Sequence, residues 1–259
     1  MTTSVGFVGG GRITRVLLEG WRRSGGLPPG IVVSDPDASV VERLAAAFPG
    51  VRVVRDDNVQ AARQDVVFAA MHPPAMKAAL VPLAGQLQRR AVVVSLAPKF
   101  TCAALRELLG GHDRLARVIP NAPSVVGAGF NPVAFGPGLD AEGREAVARL
   151  LAPLGAAPEV PESQLEAYAV IAAMGPTYLW FQLDLLATLG REFGLPAEAA
   201  ARCVAAMAVG SARTLAESGL PPAEVMDLIP VRPMADEEAA LVAAYRTRLT
   251  AIHTKIRPA

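Results

Sequence analysis

VGFVGGGRITRVLLEG, residues 5–20, decides the fold. A strand-length apolar run enters Gly9-Gly10-Gly11, and a helical pattern follows at once. A glycine turn between strand and helix brings the backbone close to a phosphate, while the helix N-terminus supplies N–H donors and partial positive charge. Gly9 and Gly11 therefore mark the expected approach of a dinucleotide's pyrophosphate. The third position of the glycine fingerprint holds Thr14 instead.

Outward from this turn, strand-length runs recur with helical patterns between them: IVVSD at 31, VRVV at 51, DVVFAAM at 65, AVVVSLA at 91 and RLARVIPN at 114. Continuous Val and Ile, without alternation, mark strands buried on both faces. The fold class is α/β, with an N-terminal, doubly wound, mostly parallel sheet. Two further short apolar stretches, NPVAFGPG at 131 and APEVP near 157, flank a helical segment at 140–155.

Strand-like runs stop near residue 160. The rest reads as helices: 162–193, bent or restarted at Gly175-Pro176; 196–219, opened by proline and closed by glycine; PAEVMDLI from 222; and 236–256. The expected division is a dinucleotide-binding domain over 1–160 and an all-helical substrate and dimerisation domain over 161–259. These helices are apolar on more than one side, which points to a homodimer or higher homo-oligomer.

Composition narrows the partners. The 259 residues are 52% hydrophobic, with a formal charge of +1, so neither nucleic acid nor an anionic membrane is the expected partner; a small molecule is. Cys102 and Cys203 stand alone, outside any disulfide framework or metal-ligand spacing, so no metal is expected and a reducing cytoplasm fits. No signal peptide is read at the N-terminus. The uncharged run 167–183 is interrupted by Gly175-Pro176 and reads as a buried helix, not a membrane span.

The C-terminal ends of such strands bind ligands. Asp35, ending the second strand, can accept from the adenosine ribose hydroxyls and would repel a 2′-phosphate; Ser34 and Arg12 could instead hold that phosphate. NADP and NAD both remain open. AAMHPP and SLAPKFT end two further strands at this edge. His72 reads as a turn residue or a catalyst, and Lys99 as a carboxylate binder, a proton donor or a solvated loop lysine. In RVIPNAPSVVGAG, 117–129, Pro120 and Pro123 fix the strand exit, and Asn121 can orient nicotinamide or substrate by hydrogen bonds.

GFVGGG, SDP, GPTY and the run Pro120, Asn121, Pro123, Val126, Gly127, Gly129 closely resemble pyrroline-5-carboxylate reductases, from residue 4 to about residue 228. The resemblance implies a Rossmann domain, a helical domain that interlocks with a second subunit, and reduction of the cyclic imine 1-pyrroline-5-carboxylate to proline by NADPH or NADH. Gly9, Gly11, Arg12 and Ile13 would then cradle phosphates, and Ser34 and Asp35 would meet the ribose. Asn58 would flank adenine, Ala70, Met71, His72, Pro73 and Ala97 would line the nicotinamide ribose, and Asn121 would close the floor.

Both substrate segments depart from the family's. AAMGPTY keeps Gly175, Pro176 and Tyr178 but has Met174 where the family has serine, and IPVRPMADEE stands where the family has Thr-Ser-Pro-Gly-Gly-Thr-Thr. Pro230 and Pro233 remove backbone donors there. An iminium is already protonated, whereas a ketone would need a donor, for which Tyr178 or Lys99 is the candidate. Arg232 is either a guanidinium replacement for the lost carboxylate clamp or a surface arginine. The reading is an NAD(P)-dependent oxidoreductase acting on a small cyclic imine or related C=N or C=O compound; the alternative is a dinucleotide-binding sensor or regulatory paralogue without turnover.

Overall fold

The computed structural model describes residues 3–258. Six parallel strands form where the Val-rich runs predict them: β1 (Val5–Val8), β2 (Ile31–Asp35), β3 (Arg52–Arg55), β4 (Val66–Ala69), β5 (Val92–Ser95) and β6 (Leu115–Val118). Short strands follow. β7 (Gly129–Phe130) pairs with β9 (Gly155–Ala156), while β8 (Val133–Phe135) joins β6 antiparallel. The sheet order is β3-β2-β1-β4-β5-β6-β8, so the winding reverses at β1 and β4. A crevice opens at such a reversal, outside the carboxyl ends of the strands.

Helices α1 (Arg12–Arg23), α2 (Ala38–Ala47), α3 (Asn58–Ala62), α4 (Pro73–Leu80), α5 (Cys102–Leu108) and α6 (Ala141–Leu151) connect or follow the strands. One core gathers Phe7, Leu17, Trp21, Phe68 and Leu151; the other gathers Val67, Met76, Leu80, Leu105 and Leu115. Phe7 stacks on Phe68 at 5.0 Å, and Trp21 tilts against both. The Trp21 indole also donates to the Leu150 carbonyl at 2.7 Å, so its one polar atom is satisfied inside the core. Each fully buried side chain of this kind stabilises the fold by ~1.5–3 kcal/mol.

The change of composition near 160 is not where the packing divides. One compact unit comprises Met1–Met174 with Ile252–Ala259, and a second comprises Gly175–Ala251. The reason lies in α7 (Leu165–Tyr168) and the π-helical turn after it (Ala169–Ala173), where Leu165, Glu166, Ala169 and Val170 are all buried. The second unit holds α8 (Pro176–Glu192), α9 (Ala197–Glu217), α10 (Pro222–Asp227) and most of α11 (Ala235–Ile256). α8 restarts at Pro176, as the sequence predicts. Close packing of α8 on α9 needs Gly190, where a Cβ would stand 3.1 Å from that of Ala200.

The expectation of a buried helix over 167–183 does not hold in the single chain. Trp180 and Phe181 are 51% and 66% exposed, and among the described residues 175–251 only Ala200 is buried. The helical stretch Glu162–Glu192 has the length and apolarity to cross a membrane, and 11% of its apolar window is buried.

Candidate active site

Hydrogen bonding sets Val8, Ser34, Ala69, Ser95 and Arg117 in one row across the sheet, so the segments that follow them leave from a common edge. Gly9 comes first. Its φ of +104° is a glycine conformation, and a Cβ there would lie 2.6 Å from the Ala70 carbonyl oxygen. Gly9 N–H donates to Ser34 O at 2.8 Å, Gly10 N–H donates to Asp35 Oδ2 at 2.7 Å, and Thr14 Oγ1 donates back to Gly9 O at 2.6 Å. Thr14 thereby ties the helix to the turn, a use for the residue that departs from the fingerprint.

Gly11 faces open space, with nothing within 4 Å of where a Cβ would sit. It opens α1 without a side-chain cap, whereas Asp37, Thr101 and Asp140 cap α2, α5 and α6. The first-turn N–H groups of α1 therefore lack the side-chain acceptor that α2, α5 and α6 carry. An anion is what such a terminus accommodates, and the pyrophosphate of a dinucleotide fits it. Arg12 is exposed beside it, and Ile13 is half-buried against the core.

The ribose side differs from expectation at one residue. Ser34 is fully buried, donating to Asn58 Oδ1 at 2.8 Å and accepting from Asp57 N–H at 3.0 Å. Its hydroxyl orients Asn58 instead of facing a ligand. Asp35 is half-buried; besides Gly10, it accepts from Asp37 N–H at 2.9 Å through Oδ1. Each carboxylate oxygen keeps acceptor capacity for a ribose hydroxyl.

Along the other half of the edge, Ala70 and Ala97 are buried, Met71 is half-buried, and His72 is exposed. His72 opens α4 ahead of Pro73, with no side-chain cap bond, which is the geometry of a turn residue. Lys99 is exposed and holds φ +79°, left-handed backbone that a side chain disfavours. Asn121 is buried and structurally committed. Its Oδ1 accepts from Phe130 N–H at 3.0 Å, its Nδ2 donates to Ala172 O at 3.3 Å, and its N–H donates to Asn131 Oδ1 at 3.1 Å. Pro176 has no N–H for the carbonyl four residues back, that of Ala172, and Asn121 reaches this carbonyl instead. Asn121 thus ties the backbone of Phe130 and Ala172 together, and the expected ligand bond could come only from its second amide proton.

Sequence reasoning missed Arg117. This guanidinium is fully buried, with Nη2 2.5 Å from Glu166 Oε1 and Nη1 3.2 Å from Glu162 Oε1. The same two oxygens accept backbone N–H groups of the turn between β5 and α5: Lys99 to Glu166 at 3.2 Å and Cys102 to Glu162 at 2.6 Å. Burial, and then the charge of Glu162, push the Cys102 thiol up to about 12. A lone arginine in an otherwise apolar strand was the available signal.

In the second unit, Gly175 and Pro176 open α8. Tyr178 meets Tyr245 edge-on at 5.9 Å, and the Tyr245 hydroxyl donates to Tyr178 O at 3.3 Å. Burial first, and Tyr245 second, raise the Tyr178 phenol above its ordinary value, so it stays protonated. Arg232 already has a carboxylate partner: Nη2 lies 2.6 and 2.5 Å from the two oxygens of Glu238. An open guanidinium clamp is therefore not what this chain presents.

Comparison with known proteins agrees with both halves of the chain. Residues 4–99 match the family described as NADP oxidoreductase coenzyme F420-dependent, and residues 162–247 match that described as pyrroline-5-carboxylate reductase dimerisation. A pyrroline-5-carboxylate reductase of Corynebacterium melassecola is 30% identical over 226 residues, covering 86% of this chain and 83% of its own. The chain belongs to the pyrroline-5-carboxylate reductase family. It is accordingly an NAD(P)-dependent oxidoreductase with a Rossmann-type sheet domain and a helical C-terminal domain. The Pseudomonas aeruginosa reductase is also 30% identical, over 93% of this chain and 88% of its own. Two solved pyrroline carboxylate reductases share the fold at 18% identity. That of Streptococcus pyogenes has a TM-score of 0.80 and covers 98% of both chains; that of Plasmodium falciparum, solved with NADP bound, has a TM-score of 0.76 over 98% of this chain and 95% of its own.

Proposed function

We propose that this reductase delivers hydride from NADPH or NADH to the C=N carbon of a small cyclic imine of the 1-pyrroline-5-carboxylate kind, working in the cytoplasm as a homodimer or larger homo-oligomer. One observation carries the reading: a glycine turn fixed by Asp35 and Thr14, opening an uncapped helix onto free space, in a chain of this family. The bound nicotinamide supplies the hydride. The protein's part is placement, and holding two reactants in register can supply roughly 7–11 kcal/mol of a barrier.

In this reading Gly9, Gly11, Arg12 and Ile13 hold the phosphates, and Asp35 meets the ribose, with Asn58 set by Ser34. Ala70, Met71, Pro73 and Ala97 form the nicotinamide wall, while Asn121 braces it. Gly175 and Pro176 set the start of α8, which presents Tyr178. An iminium needs no acid from the protein. For a carbonyl substrate, Tyr178 or Lys99 would donate the proton. Arg232 serves as a carboxylate clamp only if substrate displaces Glu238. The exposed apolar faces of α8 and α9, in the stretch matched by the dimerisation family, support cover by a second copy.

Loss of reduced-nicotinamide absorbance on adding 1-pyrroline-5-carboxylate, with NADPH and NADH in parallel, tests the reading. Steady turnover upholds it. Cofactor binding without turnover on this or any other cyclic imine favours the second reading, a sensor, for which the occupied Arg232 and the donor-poor Pro230–Pro233 loop speak.

A further inference from the structure

We infer that the buried Arg117–Glu166 pair is a positioning device: Glu166 holds the Lys99 backbone in its left-handed turn, Arg117 holds Glu166, and the turn so fixed is part of what NAD(P)H binds. The inference rests on the dinucleotide reading above.

Arg117 stands in the ligand-side row of the sheet, beside Ser95, whose strand runs directly into the turn. A buried ion pair is weak evidence for stability, because desolvating two charges offsets their attraction. Here Arg117 Nε lacks a hydrogen-bond partner among the described residues, so the arrangement is not the one that best satisfies the arginine. What the pair does satisfy is the turn. The Glu166 oxygen that meets the guanidinium also accepts from Lys99 N–H, and the corresponding Glu162 oxygen accepts from Cys102 N–H. The two carboxylates hold the turn on either side of Thr101, which itself caps α5 through Ala104 N–H at 3.1 Å.

Of the two residues so held, the one that needs holding is Lys99. At φ +79° a lysine is strained where a glycine is not, and such strain persists only where surrounding bonds over-determine it. β5 lies next to β4, and β4 next to β1, so the turns after these three strands leave from one edge at the winding reversal. A turn that relaxed toward right-handed backbone would displace its own residues at that edge.

The test separates backbone from side chain. Lys99→Gly and Lys99→Val both remove the ammonium, but glycine accepts the left-handed conformation and valine resists it. NADPH and NADH dissociation constants are read by nicotinamide fluorescence on the full-length protein. Lys99→Gly should bind within about twofold of wild type and Lys99→Val roughly tenfold more weakly, the ratio to which ~1.4 kcal/mol corresponds. Glu166→Ala should weaken binding similarly, Glu166→Gln should spare it by keeping an acceptor oxygen, and Glu166→Ala with Lys99→Gly should recover it. Equal constants for the glycine and valine variants would overturn the inference, as would a double variant no tighter than Glu166→Ala. Should Glu166→Ala not fold, the Lys99 pair decides alone, since that side chain is exposed. Wild type that binds neither cofactor would sink the dinucleotide reading and this inference with it.

Discussion

The sheet unit and the helical unit solve the problem of apolar surface in opposite ways. The first buries its Val-rich strands between two layers of helix, with Trp21, Phe7 and Phe68 at or below 1% exposure. The second leaves Phe181 and Phe193 66% and 80% exposed and buries only Ala200 among its described residues. The lesson concerns which part can stand alone: a sheet covered on both faces carries its own core, whereas helices apolar on several sides acquire one only when something covers them.

The comparison can be broken or sharpened by mutation. The largest effect is expected at Arg117, where Arg117→Met strands the buried Glu166 inside the sheet unit and takes the cation from half-buried Glu162. The expected loss is ~3–5 kcal/mol, read as a fall of roughly 6–20 °C in Tm. Next is Phe181→Asp on α8. If the proposed homo-oligomer is a two-fold dimer covering this face, about 2 kcal/mol for each copy should ease its dissociation by roughly a thousandfold. Light scattering reads this, and the Tm of the sheet unit should stay put; an unchanged molecular mass would place the interface elsewhere.

A smaller effect is set by pH. Arg114, and then the Gly143 N–H, hold the Asp140 carboxyl down at about 2, below its ordinary 3.8. A depressed acid contributes stability above its unfolded value and loses it as pH falls through its folded one. The denaturation midpoint should therefore drop between about pH 4 and pH 2, less steeply in Arg114→Ala, and an identical slope in that variant would remove Asp140 as the cause. The smallest is Arg213→Ala, which breaks an exposed pair with Glu217 on α9. It should cost ~0.3–0.5 kcal/mol by thermal melt, against the several expected for Arg117.

Much of the fold is legible in the sequence. The strands announced themselves because parallel strands buried on both faces need uninterrupted Val and Ile, as in VVVS at 92–95. Gly9 was legible because its backbone admits no other residue. Ser34 was misread for a physical reason: a hydroxyl ending a strand looks the same facing a ribose or bonded to Asn58. Asn121 likewise looked like a ligand group, since its partners Phe130 and Ala172 lie 9 and 51 residues away and no local pattern announces them. The division at 174 was hidden because α7 has helical composition but packs into the sheet unit. The exposure of Trp180 was hidden because hydrophobicity predicts that a side chain is covered, without saying by which copy of the chain.

Cys102 carries a consequence of a different kind. Its amide is held by Glu162 in the turn beside Lys99, and its thiol lies at about 12. Thiolate is the form that attacks peroxides and disulfides, and a thiol raised this far keeps very little of it at neutral pH. The turn is therefore insulated from oxidants. Oxidative inactivation of this reductase would have to be traced to other atoms, the Cys203 sulfur on α9 or the methionine thioethers, and Cys102 should emerge from such exposure as an intact thiol.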